Sequence, residues 1–302
     1  MTDLIYSRNN SDTALTIAEI YKRAPSAFAE TPMKGVSERY GHYNTFDAIQ
    51  HLKGRGYVPV QAAQSNTSVE LRKGHTKHFV AFAKKTDLKR LKYHQGSTDP
   101  NGRPELVLYN SSDRTSAAKL FNGYFRYICS NSLVAGSGSE TKVYHGKDKI
   151  KGFEDLIDLT IDAEAQAEKA RELMSAKFIN YDQVRHLTKK ALSLRWKSLT
   201  DTLKTHDPAE NIKAGSYWTD DSIDPMLRAR REDERDINSD RRYSLFDIFN
   251  RCQEGLLRGG GHIKTFSNKS PEGSNRRSTG IKSVSESIRL NRDCWDLFAA
   301  HA

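Results

Sequence analysis

Residues 78–84 read His-Phe-Val-Ala-Phe-Ala-Lys, and residues 105–110 read Glu-Leu-Val-Leu-Tyr-Asn. Short apolar runs of this length, rich in branched and aromatic side chains, are typical of buried β-strands. Residues 92–104 lie between them and carry Gly-Ser and Pro-Asn-Gly turn signals, which predict a loop. Strands this close in sequence must pair antiparallel, because a parallel pair needs a longer crossover.

Further strands are predicted on both sides of this pair. Residues 57–62 form an extended run in which Pro59 indicates an edge or early strand position. Residues 68–72 alternate between polar and apolar side chains, and residues 142–145 predict a returning strand. Residues 124–129 fit either a strand or the end of a helix.

Apolar residues at helical spacing predict six helices. They cover residues 12–29, 44–54, 153–178, 181–199, 243–257 and 283–298. Residues 267–280 predict a loop. The fold class is therefore α+β, with a curved antiparallel sheet in the N-terminal half and packed helices mostly in the C-terminal half.

The predicted domains are a helical N-terminal extension at residues 1–40 and a single α+β domain at residues 41–302. Residues 207–242 are polar, with few apolar anchors, and predict a long loop or insertion within that domain.

The composition excludes several classes of protein. Only 36% of the 302 residues are hydrophobic, and the mean hydropathy is -0.73. No run approaches the roughly 18 apolar residues of a membrane helix, so we expect no membrane partner. The N-terminus lacks a signal-peptide pattern. The three cysteines lie far apart, which fits the cytoplasm and argues against a disulfide scaffold or a four-cysteine zinc site. No metal or cofactor is indicated.

The net charge of +10 favours an anionic partner, and nucleic acid is the commonest one. Residues 71–92 carry eight basic side chains against the single carboxylate of Asp87, and residues 251–292 hold a second basic excess. The alternative is a basic face that only keeps the protein soluble. The candidate nucleic-acid contacts are Arg72, Lys73, Lys77, Lys84, Lys85, Arg126 and Arg258.

Aromatic side chains near the first basic run are candidates for stacking on bases. They are Tyr93, Tyr109, Tyr124, Phe125 and Tyr127. Packing in the core is the alternative for each of them. Arg126 stands between aromatic residues, where it either points into a groove or pairs with Asp113.

An enzymatic function is one of the alternatives that the sequence leaves open. Asp113, Asn131, His145 and Glu254 would form an acid–base site if the fold brings them together. His75 and His78 are three residues apart, which on a strand places them on opposite faces. The glycines at 259–261 predict a helix C-cap in preference to a phosphate loop, since no Walker motif is present.

Several strings resemble one family when they are taken in order. They are Asn110-Ser111-Ser112-Asp113, the run from Phe125 to Asn131, His145-Gly146, and the run from Phe249 to Gly260. Together they are similar to the phage- and plasmid-associated family catalogued as domain of unknown function nine-three-two. The resemblance spans roughly residues 40–295 and implies a phage or mobile-element protein.

The chain departs from the family pattern at two places. Ser112-Asp113-Arg114 stands where the family usually has His-Asp-Gly, and Asn131-Ser132 stands where it usually has Asn-Gly. A catalytic or metal-binding role of that histidine would be lost here. In outline, strands followed by helices with a basic face are similar to the single-strand annealing proteins of phages.

Three functions follow as hypotheses. The first is single-stranded DNA binding or annealing in replication or recombination. The second is a hydrolase or nuclease built on Asp113, His145 and Glu254. The third is a non-catalytic inhibitor of a host defence protein. A homo-oligomer is compatible with all three.

Overall fold

The structure of the chain is a computed structural model. It describes residues 13–91, 103–125, 141–143, 145, 153–162, 164–205, 212–228, 236–281 and 283–302. The fold is mixed α+β, with an antiparallel sheet in the N-terminal half, as the sequence predicts.

The N-terminal sheet is a five-stranded meander. Its strands are β1 (Tyr57–Gln64), β2 (His78–Lys84), β3 (Arg103–Asn110), β4 (Ala118–Phe125) and β5 (Thr141–Val143). Each strand pairs antiparallel with the next in the chain, so the sheet order is β1-β2-β3-β4-β5. The two apolar runs quoted first, β2 and β3, lie inside the sheet and are buried on both faces.

Three helices pack with this sheet: α1 (Ile17–Arg23), α2 (Thr45–Gly54) and α3 (Phe153–Asp162). The side chain of Asn44 caps α2 by accepting a 2.9 Å hydrogen bond from the Phe46 amide, a stabilising feature at helix N-termini. The shared core includes Ile20, Ile49, Leu52, Tyr57, Val80, Phe82, Leu106, Leu108, Leu120 and Ile157.

The remaining helices are α4 (Glu164–Ala176), α5 (Tyr181–Ser193), α6 (Leu199–Thr205), α7 (Ile223–Leu227), α8 (Leu245–Arg258) and α9 (Val284–Ala299). Helix α8 is almost wholly buried. The Phe249 ring on α8 contacts Trp295 and Phe298 of α9 at centroid distances of 5.4 and 5.7 Å. This aromatic cluster forms the centre of the C-terminal core.

Two smaller sheets complete the C-terminal half. One contains β7 (Lys197–Ser198), β8 (Gly215–Trp218), β10 (His262–Ser267) and β11 (Ser270–Arg277), in the order β11-β10-β8-β7. The other pairs β6 (Phe178–Ile179) with β9 (Tyr243–Ser244).

The chain divides into two compact units. The first unit comprises Met1–Glu168 with Lys282–Val284, and the second comprises Lys169–Ile281 with Ser285–Ala302. The boundaries expected from sequence, 1–40 and 41–302, do not coincide with these units. Ile20 of α1 is fully buried in the core of the first unit.

Three stretches differ from the sequence-based expectation. Residues 68–72 hold a short 3₁₀ helix, Glu70–Arg72, whose side chains are exposed, so their alternation reflects no buried face. The supposed loop at 207–242 contains β8 and α7, which are anchored by buried Trp218 and Met226. The supposed loop at 267–280 contains β11.

The predicted helix boundaries also need correction. The helix expected at 153–178 is found as α3 and α4, which flank residue 163 outside the described residues, and it ends at Ala176. The helix expected at 181–199 ends at Ser193. Helix α8 does end at Gly259, whose φ of 74° is left-handed, and this supports the C-cap interpretation of the glycines.

Within the described residues, no helix is long and apolar enough to cross a membrane. Cys252 and Cys294 are buried free thiols, and burial raises the pKa of the Cys294 thiol well above its usual value. Cys129 lies outside the described residues.

Candidate functional site

The first basic run does not form one continuous surface. Arg72 ends the 3₁₀ helix Glu70–Arg72, Lys73 follows it, and Lys77 immediately precedes β2. Lys84 is the last residue of β2, and Lys85 follows it. Lys77 and Lys84 are seven positions apart along the extended chain, a distance of roughly 23 Å. The buried body of β2 therefore divides the cations into two groups, one at each end of the strand.

The cations of this run differ in whether a partner neutralises them. Lys73 Nζ lies 2.6 Å from the Glu70 carboxylate, and Lys84 Nζ lies 5.9 Å from the Tyr57 ring centroid. Arg72, Lys77 and Lys85 have no carboxylate partner among the described residues. These three therefore carry charge that is free to meet an anion.

Arg258, another predicted nucleic-acid contact, is placed less favourably. Arg258 donates a 2.5 Å hydrogen bond to Glu254, which is 2% exposed, so its charge already balances a buried carboxylate. Arg126 lies outside the described residues. Tyr109 is 2% exposed and belongs to the core, so it is not a base-stacking platform. The side chains of Tyr93, Tyr124, Phe125 and Tyr127 lie outside the described part of the chain.

A buried polar cluster lies at the end of β3 in the first unit. The Tyr40 hydroxyl donates a 3.0 Å hydrogen bond to the Ser111 carbonyl. Burial, and then the charge of Asp113, raises the pKa of Tyr40 above its usual value. The Tyr40 ring stacks on the His145 ring at a centroid distance of 4.6 Å. The fold therefore brings Asp113 and His145, two of the predicted catalytic residues, to the same tyrosine.

Two histidines of this cluster, His42 and His145, are each held by a hydrogen bond at one ring nitrogen. His145 Nδ1 lies 3.0 Å from the Gly41 carbonyl, and His42 Nε2 lies 2.8 Å from the Ala29 carbonyl. A carbonyl accepts only, so each of these nitrogens carries the proton. The opposite nitrogens, His145 Nε2 and His42 Nδ1, are buried and make no hydrogen bond of normal geometry. Backbone hydrogen bonding to Gly41 and Ser116 raises the pKa of His145, against the effect of burial.

Burial favours the neutral form of these imidazoles. Desolvation lowers the pKa of His42 and His145, and the charge of His42 lowers the pKa of His145 further. Burial also lowers the pKa of His78 to about 4. His78 donates from Nδ1 to the Thr76 carbonyl, and its Nε2 accepts from the Thr45 hydroxyl. His78 is therefore fully bonded within the core, and His75 lies in the turn before β2.

The Asp113 carboxylate is part of a turn. Its Oδ1 accepts hydrogen bonds from the Thr115 amide at 3.0 Å and from the Thr115 hydroxyl at 2.5 Å. Arg114 between them has a φ of 65°, a left-handed conformation that is uncommon for residues other than glycine. The hydrogen bonds of the Asp113 carboxylate thus span the turn that holds Arg114 in this conformation.

The remaining predicted catalytic residues are Glu254 and Asn131. Glu254 lies on α8 in the second unit, and Asn131 lies outside the described residues. In the described ranges, no three histidine, cysteine or acidic side chains converge as ligands for a metal ion. Sequence analysis missed Tyr40 and His42, because they precede α2 in a loop with no periodic pattern.

These features define an α+β protein with a partly buried histidine-rich cluster and with cations that have no carboxylate partner among the described residues. The sequence profile described as Domain of unknown function (DUF932) matches residues 32–295. The chain belongs to this family, as the resemblance of its motifs implies.

Two relatives from Escherichia coli (strain K12) are similar over almost the whole chain. UPF0380 protein YfjQ and UPF0380 protein YafZ are each 25% identical over 287 residues, which cover 94% of this chain and 90% of the relative. No solved structure matches the chain.

Proposed function

We propose that this protein binds single-stranded nucleic acid, with DNA favoured, in the replication or recombination of a phage or other mobile element. The observation that carries the proposal is a group of cations at the two ends of β2 that have no carboxylate partner among the described residues, namely Arg72, Lys77 and Lys85. The excess of positive charge in the whole chain, +10, supports it. Phosphates bound by such cations release condensed counterions, which drives association.

The placement of the aromatic side chains determines whether they can stack on bases. Tyr109 lies in the core. Because this candidate for base stacking is buried, we expect the affinity to come from phosphate contacts, which carry no sequence information. We expect weak discrimination between base sequences and a strong dependence on salt.

The variant Arg72→Gln/Lys77→Gln/Lys85→Gln tests this surface. Each phosphate contact contributes about 0.7 to the slope of log affinity against log salt for a single strand, so losing three contacts should reduce the slope by about 2. Fluorescence anisotropy with labelled oligothymidylate, repeated over a salt series, measures it.

The matched control is Arg185→Gln/Lys189→Gln/Lys204→Gln, which removes the same charge. These three cations pair with Asp224, Asp220 and Asp201. The control should keep the wild-type slope. Equal slopes for the two triple variants would sink the assignment of this surface, because net charge alone would then explain binding.

Hydrolysis is a second candidate, favoured by His145, whose Nδ1 is oriented by the Gly41 carbonyl and whose ring stacks on Tyr40. A histidine oriented by a carbonyl at one nitrogen can take a proton from water at the other. If this candidate holds, bis-p-nitrophenyl phosphate is cleaved by the wild type and not by His145→Ala, whereas exposed His262→Ala retains activity. Cleavage that survives His145→Ala, or none by the wild type with or without Mg²⁺ or Mn²⁺, contradicts it.

An inhibitor of a host defence protein stays the third hypothesis. A host protein that co-purifies with a chain lacking affinity for DNA would favour it over both of the others.

A further inference from the structure

The hairpin formed by β10 and β11 lies at the edge of the four-stranded sheet in the second unit. Ser267 and Ser270 are paired across the strands, so a two-residue turn, Asn268-Lys269, joins them. β11 has a neighbour on one side only, because the sheet order is β11-β10-β8-β7. Its outer edge therefore pairs with no other strand among the residues that the structure describes.

Positive charge is concentrated on this hairpin. Its side chains include four cations, Lys264, Lys269, Arg276 and Arg277, against the single carboxylate of Glu272. In the part of the chain that the structure describes, none of the four has an ion-pair partner. Elsewhere in the second unit, several cations are matched with carboxylates, as Lys189 is with Asp220 at 2.8 Å.

The strand register shows how the cations are distributed. Arg277 pairs with His262, and Arg276 pairs with Ile263. Neighbouring residues of a strand point to opposite faces, so Arg277 shares a face with His262 and Lys264, and Arg276 lies on the other. Lys269 is at the tip. The cations therefore lie on both faces of the hairpin and at its tip.

Packing holds this edge in place. Lys264 Nζ lies 5.6 Å from the Phe266 ring centroid, and the Phe266 ring meets Tyr217 edge-on at 5.6 Å. Gly273 of β11 has a φ of 77°, and a Cβ there would lie 2.7 Å from the Phe266 ring. The glycine thus allows β11 to lie directly against Phe266 and Lys264.

We propose that the β10–β11 hairpin is a second contact surface of this protein for the phosphate backbone of a single-stranded nucleic acid. The inference rests on the proposed function and extends it to the second unit. An acidic peptide added as a further strand fits less well. Pro271 lacks an amide donor, and Gly273 leaves the extended conformation, so the edge offers no continuous row of backbone groups.

The test variant is Lys269→Gln/Arg276→Gln/Arg277→Gln, at three exposed positions where a neutral side chain disturbs no packing. Anisotropy with labelled oligothymidylate should show a salt slope reduced by about 2. The triple variant of the paired cations Arg185, Lys189 and Lys204 is again the charge-matched control and should bind like the wild type. The single change Lys269→Gln at the tip should reduce the slope by about 0.7.

The outcomes separate this inference from the proposed function. If the wild type binds and both hairpin variants keep its slope, the hairpin assignment is overturned while the β2 surface stands. If the wild type does not bind oligothymidylate at low salt, both proposals fail. Binding of polyglutamate in place of oligothymidylate would also overturn the hairpin assignment, in favour of an acidic protein partner.

Discussion

Replacing Gly259 with alanine should destabilise the second unit by about 4 kcal/mol, the size of effect reserved for severe local conflicts. Gly259 has φ 74° and ψ -154°, a conformation almost confined to glycine. A Cβ there would lie 2.5 Å from the Ser278 carbonyl oxygen and 2.6 Å from the Thr279 carbonyl carbon. That Ser278 oxygen also accepts the Gly260 amide at 2.8 Å, so it cannot move away without losing this bond.

Gly260→Ala is the matched control for this change. Gly260 also has a positive φ, 86°, but a Cβ on it would meet nothing within 4 Å. We therefore expect Gly260→Ala to lower the free energy of unfolding only by the cost of the left-handed conformation, about 1–2 kcal/mol. Urea unfolding followed by tryptophan fluorescence reports on the second unit, because all three tryptophans, Trp196, Trp218 and Trp295, lie in it. Equal losses in the two variants would contradict the close approach of Gly259 to Ser278.

The second large effect is a loss of stability of the first unit in acid. Burial lowers the pKa of His78 from 6.5 to about 4 in the folded state. The carbonyl of Thr76 and the charge of Asp113 oppose this shift, and His42 and His145 add to it. The unfolded chain then binds more protons than the folded chain below pH 6.5. Neutral, buried His78 contributes its full stabilisation above pH 6.5. As the pH falls towards 4, the free energy of unfolding decreases by about 3 kcal/mol because of His78 alone.

Unfolding followed by far-ultraviolet circular dichroism at pH 7 and at pH 4.5 measures this loss. Burial lowers the pKa of His42 and His145 as well, so they add to it in the same direction. His78→Gln removes the titrating group, and we expect the difference in stability between the two pH values to shrink. His262→Gln, at an exposed histidine of the second unit, is the control. An unchanged pH dependence in His78→Gln would refute the assignment.

Much of the fold can be predicted because its core elements carry local signals. β2 and β3 are continuous apolar runs, and the sheet forces them to be buried on both faces. Asn44 marks the start of α2, and Gly259 marks the end of α8. β11 carries no such signal, because an edge strand with exposed polar side chains does not alternate.

The candidate site is harder to predict from the sequence than the fold. Tyr40, His42 and His145 come together only because the chain crosses the first unit several times, and no spacing between them indicates this. The basic run at 71–92 looks continuous in sequence, yet the strand between Lys77 and Lys84 separates its two ends. Charge composition therefore predicts an anionic partner, while the structure determines where cations are free to contact it.

The most direct test of the proposed function is fluorescence anisotropy of the wild-type protein with labelled single-stranded and duplex DNA over a salt series. We expect tight binding to the single strand at low salt, weakening steeply as salt rises. Absence of binding to either DNA at low salt would contradict the account, and the basic segments would then serve solubility or contact with another protein.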